Sequence, residues 1–107
     1  MNKPGLVNLN SKENLQKCNY IIDKIADRYG YKRVDILGKR RTVKHIWPRH
    51  TAMYLCRLCG LTFQEIGDIF NKDHATALNA CNNIRNLCDT EPRLAKEFKE
   101  LRVMFNV

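Results

Sequence analysis

Asp73-His74-Ala75-Thr76, followed one helical turn later by Asn79, sets a carboxylate, an imidazole, a methyl group, a hydroxyl and an amide side by side. These are the groups that meet base edges in a major groove. An amide pairs bidentately with adenine, a carboxylate accepts from a cytosine amino group, and a methyl touches thymine. Competing chemistry for the same residues is weaker. His74 as a general base needs a nucleophile beside it, and no Ser or Cys motif supplies one. Cys56-x-x-Cys59, with His45, His50 and His74 as partners, suggests zinc. However, two cysteines three residues apart on an amphipathic helix ordinarily pack as small apolar groups. No Gly-x-x-x-x-Gly-Lys-Ser/Thr occurs, so no loop is built to cradle ATP phosphates. No catalytic residue, metal or cofactor is therefore expected, and the chain reads as a non-enzyme.

Such groups act together only if a helix presents them on one side, and the pattern predicts one. Asp73 is a good N-cap, and the helix it opens should run to about Cys88. On a wheel of 100° per residue, Ala77, Cys81, Ile84 and Cys88 share one side, while Ala75, Asn79, Asn82 and Asn86 lie opposite. Before it, Thr62-Phe63-Gln64-Glu65 is a capping box for a short helix that buries Ile66, Ile69 and Phe70. Gly67 would let a neighbouring backbone approach closely. The break between the two helices is Asn71-Lys72. Pro48 is expected as the first residue of an earlier helix, where its missing N–H costs nothing, with Ala52, Leu55, Cys56 and Cys59 inward and Gly60 as its stop.

Upstream, Leu15, Cys18, Ile22, Ile25 and Tyr29 recur at steps of three and four, a helical stripe that ends at Gly30. Val34 to Leu37 allows about one turn. Glu91 and Pro92 begin a final helix with Leu94, Phe98, Leu101 and Phe105 as its seam. Trp47, just before Pro48, either stacks on a sugar or covers the core, and core packing is the preferred reading. Residues 1–11 lack periodicity and read as a flexible tail, leaving 12–107 as one domain. There is no strand-period alternation.

A chain of 107 residues supports one modest core. Its formal charge of +8 favours polyanions, because neutralising phosphates releases counterions. Lys39, Arg40, Arg41, Lys44, Arg49 and Arg57 fall between Gly38 and Gly60 with no Asp or Glu among them, which marks one face as cationic. No apolar run resembles a signal peptide or a membrane span. Five cysteines inside helical patterns suit a reducing cytoplasm. A cytoplasmic, nucleoid-associated protein of bacterial or phage origin is expected, without membrane or small-molecule partners.

The segment GKRRTVKHIWPRHTAMYLCRLCGLTFQEIGDIFNKDHATALNACNNI resembles the C-terminal DNA-binding domain of the bacterial replication initiator DnaA. The correspondence rests on a basic loop at Lys39-Arg40-Arg41, then Pro48-Arg49 and Ala52-Met53-Tyr54-Leu55. Phe63-Gln64-Glu65-Ile66-Gly67 and Asp73-His74-Ala75-Thr76 follow in the same order. The resemblance implies an all-α, compact domain with a helix-turn-helix of Trp-repressor-like or DnaA C-terminal type. It also implies binding of double-stranded DNA at DnaA-box-like sites, linked to replication initiation or its regulation.

By that resemblance Arg41 would enter the minor groove from the basic loop. Asp73, His74, Ala75, Thr76 and Asn79 would face the major groove. Arg49, His50, Arg57, Gln64 and Lys72 would hold phosphates. Several positions depart from the pattern. Ala75 replaces a Thr, Asn79 stands where His is common, Asn82-Asn83 replace a basic pair, and the turn is about one residue shorter. These departures keep two alternatives open: a dimeric Trp-repressor-like regulator, and a protein-interaction adapter that has lost DNA reading. The chain is expected to be an excised domain or a small stand-alone relative, with the full-length initiator or other replication proteins as further partners.

Overall fold

The computed structural model describes residues 11–38 and 46–107; the basic loop with Arg41 and the N-terminal segment lie outside the described residues. Six helices follow one another: α1 Ser11–Tyr29, α2 Arg33–Ile36, α3 Ile46–Leu58, α4 Phe63–Phe70, α5 His74–Thr90 and α6 Pro92–Phe105. No strand occurs among the described residues.

Helix α3 is the centre of the packing, lying against α1 on one side and α5 on the other, while α5 also carries α4 and α6. Its role follows from its composition. Thr51, Ala52, Met53, Leu55 and Cys56 are all buried, covering more than one side of the helix. It starts at Ile46, so Pro48 is its third residue and not its first. The change costs no hydrogen bond, because every N–H in the first helical turn lacks an intrahelical acceptor.

In α1 the buried residues are Cys18, Ile21, Ile22, Ile25 and Ala26. Leu15, on the same side but one turn before Cys18, is 43% exposed. The larger apolar side chains Phe70, Ile66, Ile84 and Leu101, from α4, α5 and α6, are fully buried in the core. Each such burial stabilises by roughly 1.5–3 kcal/mol relative to an exposed side chain.

Trp47 packs against the core, and its indole N–H donates to the Tyr29 hydroxyl at 2.9 Å. That hydroxyl in turn donates to Glu97. Burial first, and the Glu97 carboxylate second, raise the Tyr29 pKa. The start of α3 is thereby fastened to both α1 and α6.

The cysteines divide in a way their spacing did not suggest. Cys18 and Cys56 are joined by a disulfide between α1 and α3, with Cα atoms 5.1 Å apart and both residues fully buried. Cys59, Cys81 and Cys88 are free. The expectation of unlinked small apolar cysteines thus holds for Cys81, which is buried, but not for Cys56. Pairing across 38 residues depends on tertiary contact, which local spacing cannot show.

Candidate nucleic-acid interface

Helices α4 and α5 and the turn between them are specified locally. Thr62 N–H donates to Glu65 Oε1 at 2.8 Å and Glu65 N–H donates back to Thr62 Oγ1 at 3.1 Å, closing the capping box. Asn71 ends α4 in the left-handed region at φ 56°, which Asn tolerates better than most residues. Lys72 N–H then donates to the Gly67 carbonyl at 2.8 Å, folding the turn back over α4. A Cβ at position 67 would lie 2.5 Å from Lys72 O, so only glycine admits this turn unchanged.

Asp73 caps α5, accepting from Thr76 N–H at 2.8 Å. The Thr76 hydroxyl and backbone N–H hold its carboxyl below the usual range. From there His74, Ala75, Thr76 and Asn79 are all exposed, together with Asn82 and Asn86. Ala77, Ala80, Cys81 and Ile84 take the inward side. The helix therefore shows solvent a side of small and amide groups, with no carboxylate anywhere from His74 to Cys88.

Two shoulders flank that side, each roughly 70–90° round the helix from its midline. On one, Asn83 Nδ2 lies 3.0 Å from His50 Nδ1 of α3. An amide nitrogen can only donate, so the neutral ring accepts at Nδ1 and carries its proton on Nε2. Burial, and then the neighbouring Arg49 cation, lower the His50 pKa, which favours this neutral form. On the other shoulder stand the exposed Leu78 and Arg85. On the inward side, burial pushes the Cys81 thiol up to about 11.

The remaining residues expected to meet phosphates are placed differently from one another. Gln64 is exposed on α4 and donates to Asp68 at 3.2 Å. Arg57 donates to the Leu61 carbonyl at 2.9 Å and stands over the Phe63 ring at 4.4 Å. Arg49 is only 8% exposed, with Nη2 donating to the Asp35 carbonyl at 3.1 Å. Its guanidinium ties α3 to α2, and burial lowers its pKa. Lys72 is half-buried, and its Cε would sit 3.2 Å from a Cβ on Gly38.

Gly38 is the final described residue before residues 39–45 and lies against Lys72 and Arg49, beside the turn into α5. The chain resumes at Ile46, and four residues later His50 touches α5. Gly38, the residue before the segment carrying Arg41, thus lies beside the turn into the candidate reading helix. Sequence reasoning missed Arg85 and its partner Tyr54, whose hydroxyl accepts from Arg85 Nε at 3.2 Å. A cation on an otherwise amide-rich helix was the available signal.

Among the described residues, no cluster of His, Cys, Asp or Glu could hold a metal ion. Nor is any described helix long and apolar enough to cross a membrane.

Comparison with known proteins agrees with the geometry. A family model described as the bacterial DnaA protein helix-turn-helix matches residues 18–84. The chain is also similar to Chromosomal replication initiator protein DnaA 2 of Protochlamydia amoebophila (strain UWE25), 38% identical over 74 residues. The aligned stretch is 68% of this chain but 16% of that relative.

Proposed function

The chain belongs to the bacterial DnaA helix-turn-helix family, and from this premise we propose that it binds duplex DNA sequence-specifically at DnaA-box-like sites. In this reading α5 lies in the major groove. Asp73, His74, Ala75, Thr76 and Asn79 meet base edges, and Arg41 reaches the adjacent minor groove from the basic loop. His50, Arg57, Gln64 and Lys72 set the register on phosphates. Arg49 contributes mainly by holding α3 against α2.

The observation that carries the proposal is the solvent-facing side of α5, exposed from Asp73 to Asn86 while the core takes the opposite side. Any surface helix exposes one side, but this one offers amides and small residues with no carboxylate from His74 to Cys88 to repel a phosphate. The name of the relative, a replication initiator, supports a role in replication initiation or its regulation. Such a role places the protein in the cytoplasm, on the nucleoid, sharing sites with a full-length initiator.

Selection of bound sequences from a random duplex library tests this directly. A short asymmetric motif is expected. Affinity should fall with salt along a slope of log affinity on log salt of about −4 to −5, for about five neutralised phosphates. Failure to enrich any sequence, with little affinity at any salt, would remove the proposal.

A further inference from the structure

We infer that Arg85, held in place by Tyr54, is an additional phosphate contact on the shoulder of α5 opposite His50. The inference rests on the duplex-binding reading and adds a residue and a second wall to it.

The guanidinium is exposed yet not loose. Its Nε donates to Tyr54 Oη at 3.2 Å, and Cζ lies 5.7 Å from the Tyr54 ring centroid. Tyr54 is itself fixed, stacked on Phe98 at 5.3 Å with an angle of 8° between the rings. Arg85 is therefore braced through Tyr54 onto α6. Bracing lowers the side-chain entropy still to be lost when a ligand is gripped.

With Nε engaged, the two Nη groups remain as donors. Asp89, one turn on, lines the same shallow cleft, but no ion pair joins it to Arg85 among the described residues. A planar fork of free donors without a carboxylate partner fits the oxygens of a phosphate. Its shoulder position, well off the midline of the exposed side, aims it at a groove wall and not at base edges. His50 marks the opposite shoulder through its contact with Asn83. The neighbouring positions Asn82 and Asn83 are neutral, which makes Arg85 the cation of this part of the helix.

The test compares the full chain with Arg85→Gln, Lys99→Gln and Tyr54→Phe by fluorescence anisotropy, using a library-selected duplex and a scrambled one across a salt series. Lys99 is an exposed cation on α6, so its substitution makes the same change in formal charge at a different place. Arg85→Gln is expected to bind both duplexes about five- to tenfold more weakly at 0.1 M salt and to lose about one unit of salt slope. Lys99→Gln should keep the wild-type slope. Tyr54→Phe, which retains the ring and removes the hydroxyl, should fall between Arg85→Gln and wild type.

An unchanged slope for Arg85→Gln, or an equal loss for Lys99→Gln, would overturn the inference while duplex binding stood. Wild-type affinity for Tyr54→Phe would overturn the bracing role. If the wild-type chain bound no duplex, the functional reading would fall and this inference with it.

Discussion

The carbonyl oxygen of Lys72 lies where a side chain on Gly67 would begin, 2.5 Å from the position of a Cβ. The turn before α5 is therefore packed directly onto the backbone of α4. Gly67→Ala would gain about 1 kcal/mol of helix propensity. It would also force backbone to move, at a cost of roughly 1–3 kcal/mol in a well-packed site. The net expectation is a lower melting temperature together with weaker DNA binding, since the start of α5 must shift. A melting temperature at or above that of the wild type would show that the turn yields freely.

Asn79 is exposed on the solvent-facing side of α5 and has no packing role to confuse its effect. Asn79→Ala should leave thermal stability nearly unchanged and alter preference at one or two base pairs, by roughly 1–3 kcal/mol. Repeating the library selection with the variant checks this. A selected motif identical to that of the wild type would remove Asn79 from base reading.

Arg41→Ala should weaken binding and flatten the preference at A·T-rich positions, as expected for a side chain in a narrow minor groove. Affinity equal to that of the wild type on every sequence would rule out that role.

His50 provides a pH signature. Its folded pKa is lowered by burial and by Arg49, whereas the unfolded chain regains a value near 6.5. As pH falls below about 6.5, the unfolded state takes up a proton that the folded state resists, so stability declines towards the folded pKa and is fully present above the unfolded one. Urea midpoints at pH 7.5 and 5.5 should show this loss, and His50→Gln should remove much of it. Identical pH dependence in the variant would assign the effect elsewhere.

The Cys18–Cys56 bridge can be counted. Thiol titration of the denatured, unreduced protein should find three reactive cysteines, rising to five after reduction. Chain-entropy reasoning for a loop of this length gives a stabilisation of about 4 kcal/mol, so reduction should lower the melting temperature clearly. Five thiols before reduction would show that the bridge is absent.

What could be read from the sequence was local. The Thr62–Glu65 capping box, the Asp73 cap, the close approach at Gly67 and the inward and outward sides of α5 all depend on residues a few positions apart, and the structure has each of them. Pairings between distant segments were not legible. His50 with Asn83, Arg85 with Tyr54 and Cys18 with Cys56 need the helices to be docked before their partners are known. Arg49 shows the same limit in reverse. Its charge and position suggest a surface grip, but the α2–α3 junction closes over it and gives its guanidinium a carbonyl.

Gly38 lies against Lys72 at the turn into α5, and Ile46 opens α3, so residues 39–45 are tethered at both ends. Arg41 is three residues from Gly38, a contour of no more than about 11 Å at full stretch. On the proposed reading, chain length thereby bounds the distance between a groove contact by Arg41 and the base contacts of α5, and lengthening the segment should blur that spacing before it abolishes binding.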